Sequence, residues 1–184
     1  MKKYVVLMFL SFLIPQFGSS QQFSCADSLS RNKATNVIEK HFADFITNNN
    51  YLLYSVADKW YLVIIESLDN YEEYYVCEDT LMECGKKGSV KIKKPNEILE
   101  KAFDKNLYHK GFINLNSDFY ESGYELSEGN TTYFYFKDKD GTIYGESKLT
   151  AFVKPNPINE TVYNYLLKRL LCYITPTDCD KKSK

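Results

Sequence analysis

Two neighbouring apolar runs constrain this chain most: Tyr51–Val56 and Trp60–Ile65, with Asp58 and Lys59 between them. The second run is apolar without a break and rich in aromatic and β-branched residues, the pattern of a central strand buried on both faces. So short a connection requires the two strands to lie antiparallel. Leu68–Asn70 then turns the chain into Tyr71–Cys77, where Glu72 and Glu73 interrupt the apolar pattern. That segment reads as a strand facing solvent. Val90 and Ile92 alternate with Ser89, Lys91 and Lys93, which predicts a half-buried edge strand whose lysines discourage accidental strand addition.

Helices frame these strands. Ala34, Val37, Ile38, Phe42, Phe45 and Ile46 recur at spacings of three and four, predicting a helix over Asn32–Ile46 that stops at Asn48–Asn50. Pro95 opens a second, with Ile98, Leu99, Ala102, Phe103 and Leu107 on its apolar side and an end near Tyr108. Asn156 and Pro157 precede a third, marked by Ile158, Val162, Tyr165, Leu166, Leu167 and Leu170.

Between the last two helices, strands are expected at Gly111–Leu115, Phe119–Leu126, Thr131–Phe136 and Thr142–Val153. Alternation puts Tyr133 and Tyr135 on one face, Phe134 and Phe136 on the other. Asp140–Gly141 marks a hairpin turn within Lys137–Gly141, and Gly145 marks a bulge in the returning strand. The expected class is α+β: a largely antiparallel curved sheet packed by about three helices on one face. A β-barrel-like closure is the alternative.

The first twenty residues read as a secretory signal peptide. Lys2 and Lys3 precede the apolar stretch Val5–Ile14, and Gly18, Ser19 and Ser20 offer a small-residue cleavage site. Residues 21–184 are then expected to form a single α+β domain, exported to the periplasm or the extracellular space. A lipid anchor on Cys25 is the rival reading, and Gln22 and Phe23 fit a lipoprotein signal poorly. No later run reaches the eighteen or so apolar residues of a transmembrane helix.

Export gives the five cysteines their meaning, because thiols oxidise in such compartments. Cys77 and Cys84 form one local pair, Cys172 and Cys179 another, and each predicts a short disulfide loop. The second would restrain the C-terminal tail against its helix. Cys25 is left over.

No catalytic, cofactor or metal motif stands out. Asp138-Lys-Asp140-Gly141 resembles the start of a calcium loop, but Leu149 occupies the position that needs a glutamate. A hairpin explains it better. A formal net charge of −1, with basic residues interspersed among acids, gives no pull toward nucleic acid. Asn130 and Asn159 begin glycan-acceptor triplets, which matter only in a eukaryotic secretory route.

What is unusual is the aromatic content: 16 Tyr, 12 Phe and one Trp. Tyrosine suits wet protein interfaces because its ring packs while its hydroxyl bonds. Tyr74, Tyr75, Tyr120, Tyr124, Tyr133 and Tyr135 are the surface candidates, joined by Glu78, Asp79 and Glu83 of a bridge-restrained acidic loop. The expected function is an exported protein-binding module, an inhibitor or immunity-type protein that masks a partner. A small secreted carboxylate-dependent hydrolase and a carbohydrate-binding module are the alternatives.

Overall fold

The computed structural model describes residues 25–78, 86–108, 112–114, 130–150 and 160–174. Helix α1 (Cys25–Phe42) leads into β1 (Tyr51–Val56), β2 (Trp60–Glu66), β3 (Asn70–Cys77) and β4 (Lys86–Lys93). After α2 (Glu97–Ala102) and a 3-10 turn (Lys105–Leu107) come β5 (Phe112–Asn114), β6 (Thr131–Lys137) and β7 (Ile143–Thr150), then α3 (Glu160–Ile174). The predicted leader (1–20) and the strand expected at 119–126 lie outside the described residues.

The seven strands form one open, curved sheet in the order β4-β3-β2-β1-β6-β7-β5. Every pairing is antiparallel except that of β5 with β7. This is the α+β class expected, without closure into a barrel. All six residues of β1, the central strand, are buried. The hairpin to β2 turns through Ala57 (φ 58°) and Asp58 (φ 49°), a pair of left-handed residues that matches the twist of the flanking strands.

The helices do not share one face. Leu52, Tyr54, Val56, Leu62 and Ile64 pack with Leu99 and Ala102 of α2 and with Val162, Leu166 and Leu170 of α3. Tyr51, Leu53, Tyr61, Val63 and Ile65 pack on Ala34, Val37, Ile38 and Phe42 of α1. A strand with apolar side chains on both faces loses stabilisation wherever either face meets water, at roughly 25 cal/mol per Å². Covering both faces is therefore the lower-energy arrangement for β1 and β2. The expected helix at Asn32–Ile46 begins earlier, at Cys25, and ends at Phe42, which leaves Phe45 exposed.

Strand β3 also departs from expectation. It lies inside the sheet, and Glu73 within it is fully buried. Strand β4 does take the edge. In β6, Phe134 and Phe136 join the α2/α3 side while Tyr133 and Tyr135 join the α1 side. The β6–β7 turn closes through Asp138 N–H to Thr142 O at 2.9 Å, with Gly141 at φ 90°.

Gly145 carries the bulge, at φ +61°, where the β6–β7 register shifts between Phe134 and Phe136. Strict alternation from Tyr144, which packs on the α2/α3 side, would aim Glu146 to that same side. The extra residue re-aims Glu146 toward α1, where it meets Arg31.

Candidate functional site

The chain has two arginines, Arg31 and Arg169. Each holds one of the two glutamates that are buried among the described residues, Glu146 and Glu73. On the α1 face, Arg31 Nε donates to Glu146 Oε1 at 2.6 Å, its Nη2 donates to Oε2, and Tyr133 OH donates to Oε1 at 2.6 Å. On the opposite face, Arg169 Nε donates to Glu73 Oε2 at 2.8 Å, joined there by Tyr75 OH at 3.0 Å, while Tyr165 OH donates to Oε1. The guanidinium fork matches a carboxylate in a way that lysine cannot. These clasps set where α1 and α3 dock.

Four of the tyrosines expected at the surface are buried instead. Tyr75 and Tyr133 belong to the clasps, Tyr135 lies beside Tyr51, and Tyr74 donates to Glu72. Burial, reinforced by Glu146, pushes the Tyr133 phenol far above its ordinary value, so it stays a donor. The reason for the correction is geometric: helices on both faces leave inner-strand side chains no exposed side. Asp79, Glu83, Tyr120 and Tyr124 lie outside the described residues. So do Cys84 and Cys179; Cys77 and Cys172 are both disulfide-bonded. Tyr75, two residues from Cys77 on the same strand face, stacks on Tyr173 with ring centroids 4.8 Å apart. That contact sets the end of β3 beside the last turns of α3.

Glu78 is half-buried and lies at the rim of a hollow of about 220 Å³. Lys33, Asn36 and Lys40 of α1 form one wall; Asp58, Tyr61 and Glu78 form the other. Glu78 accepts from Lys40 Nζ at 3.0 Å on both oxygens, and His41 Nε2 lies 2.6 Å from Oε1. Asp58 accepts from Ser30 Oγ at 3.0 Å, with Lys33 Nζ at 3.8 Å. Two lysines thus face two carboxylates. Small-molecule pockets run to roughly 300–1,000 Å³, so this hollow suits a single inserted side chain better than a whole ligand.

Burial pushes the Glu78 carboxyl up, but the bonds and charges of His41 and Lys40 outweigh it and hold it below its ordinary value. A depressed carboxyl adds stability that is fully present above the unfolded value, near 4.5, and is lost as pH falls through the folded value. The expected contribution is under about 1 kcal/mol, because the pair is partly exposed. Urea unfolding at neutral and acid pH should show Glu78→Gln losing less stability on acidification than the parent chain. An unchanged pH response would contradict this.

Asp138 serves its hairpin through its backbone and its carboxylate accepts from Lys105 Nζ at 2.8 Å. Among the described residues no helix is long and apolar enough to cross a membrane. No protein-family model matches the chain, and no curated protein or solved structure matches it either.

The clasps could not be found from the sequence by motif, since their members are far apart in the chain. The scarcity of arginine was the one available signal.

Proposed function

We propose that this chain is an exported protein-binding module, an inhibitor or immunity-type protein that masks a partner by receiving one of its side chains in the hollow between α1 and the sheet. One observation carries this reading: the hollow is sized for a side chain and its carboxylate Glu78 is held ionised. A hydrolytic general acid needs the reverse, a carboxyl raised above its usual range. Among the described residues the two buried glutamates, Glu73 and Glu146, offer no such pair, because they lie on opposite faces of the sheet and each is bound to arginine.

Rigidity supports the same reading. A sheet clasped on both faces brings little loop ordering to an interface, so less of the contact energy is spent on it. Glu78 would face the inserted group, and Asp79 and Glu83 follow it closely in the sequence. Two local disulfide loops, Cys77 with Cys84 and Cys172 with Cys179, belong to the same reading as restraints on the chain.

The test uses the mature chain as bait in the exported fraction of its own cells, under non-reducing conditions. Asn36 is exposed on the wall of the hollow, so Asn36→Trp should fill it without disturbing the core. The expected result is one reproducible partner whose recovery falls at least about tenfold with Asn36→Trp, equivalent to roughly 1.4 kcal/mol. Equal recovery, or a hydrolytic activity abolished by Glu78→Gln, would overturn the reading.

A further inference from the structure

We propose that the outer edge of β4 is a strand-addition site for an extended acidic segment of the partner, an inference that rests on the protein-binding reading. Strand β4 ends the sheet, and among the described residues nothing pairs with its outer side. Lys94 N–H donates inward to Asp69 O at 3.2 Å, and Ile92 is opposite Tyr71. Because inward and outward backbone groups alternate along an antiparallel strand, those of Lys91 and Lys93 point away from β3. They are ready to pair with another chain.

The side chains select which chain. Lys86, Lys87, Lys91, Lys93 and Lys94 fall within nine residues that contain no acid. Lys91 reaches Glu72 at 3.1 Å yet stays 66% exposed. Lys93 is exposed, with no carboxylate partner among the described residues. A second copy of β4 laid along this edge would set lysine against lysine, which is destabilising. An incoming strand with carboxylates on that face turns the same repulsion into attraction.

On the other face of β4, Val90 is 41% exposed and Ile92 is partly buried against the α2/α3 core. Alternate residues of the incoming strand would meet this apolar strip. The segment that fits best therefore alternates acidic and β-branched residues, its main chain supplying affinity and its side chains register. The edge starts beside the hollow, since Lys86 pairs with Val76, two residues before Glu78. One partner can reach both.

The probe is a short peptide of alternating Glu and Val, with alternating Lys and Val as its control, titrated into the ¹⁵N-labelled chain. The Glu peptide should shift the amides of Lys91 and Lys93, and the Lys peptide should not. Lys91→Pro removes an outward N–H and leaves the ladder to β3 in place, the one strand setting that tolerates proline. It should weaken peptide binding at least tenfold. Lys93→Glu, which leaves the backbone donors untouched, should do the same and serves as the check if the proline variant misfolds. Shifts confined to other residues, equal binding of the Lys peptide, or binding indifferent to both substitutions would overturn the proposal. If Lys93→Glu loses the peptide yet captures the partner as well as the parent, the edge is not the partner's site and the masking reading stands. If the parent chain captures no partner, the masking reading itself falls.

Discussion

Replacing Arg169 with alanine is expected to cost about 3–5 kcal/mol of folding stability, the range for removing one member of a buried ion pair. Glu73 would be left fully buried, keeping the tyrosine hydroxyls but losing its cation. The exposure of Arg169, 34% against 0% for Glu73, makes the arginine the informative residue to remove. A cation left alone could reach water; the carboxylate could not. Arg169→Lys should recover only part of the loss, because a single ammonium cannot reproduce the planar fork whose Nε and Nη2 both reach Glu73 Oε2. The double change Glu73→Leu with Arg169→Met should recover most of it, since apolar residues of similar volume often replace a buried pair at little cost. Urea unfolding of the four chains decides the matter. An Arg169→Ala cost below about 1 kcal/mol would mean that α3 is held by its apolar face alone.

Gly145→Val should be comparably damaging, at about 2–5 kcal/mol. Two penalties combine. A left-handed backbone costs a residue with a Cβ roughly 1–2 kcal/mol. The Cβ would also stand 2.8 Å from Cδ1 of Tyr108, a ring fixed by its hydroxyl bond to Ala102 O at 2.8 Å. Overpacking of this kind adds about 1–3 kcal/mol. Making the change in a Tyr108→Ala background separates the two, because removing Cγ and Cδ1 relieves the clash and leaves the backbone cost. The bulge also aims Glu146, so forcing it flat would carry that carboxylate away from Arg31. Equal unfolding midpoints for Gly145→Val and the parent would contradict both parts.

Local chemistry was legible. The β1–β2 hairpin, the split of Tyr133 and Tyr135 from Phe134 and Phe136, the turn at Gly141 and the bulge at Gly145 each depend on residues within a few positions of one another. Periodicity and turn chemistry act over that range. Strand β4 was readable as an edge for the same reason, because its lysines alternate with Val90 and Ile92.

The candidate site was mostly not legible. Glu73 beside Glu72 looks like a solvated pair of acids. Glu72 does reach solvent and Lys91, whereas Glu73 is buried against an arginine 96 positions away. Arg31 and Glu146 are separated by 115. The tyrosines misled for a related reason: a hydroxyl that suits an interface equally suits a buried carboxylate. Glu78 was recognised as an acidic loop residue, but the lysine and histidine that hold it ionised come from α1.

Pattern along the chain was enough for the class, for most of the described strands, for the turns and for the edge, because alternation and backbone freedom are properties of neighbouring residues. Which face each helix covers, which glutamates lose their water and where the hollow opens were settled only when distant segments met. Burying a carboxylate is tolerable only if a cation arrives with it, and that arrival depends on three-dimensional packing rather than on local order.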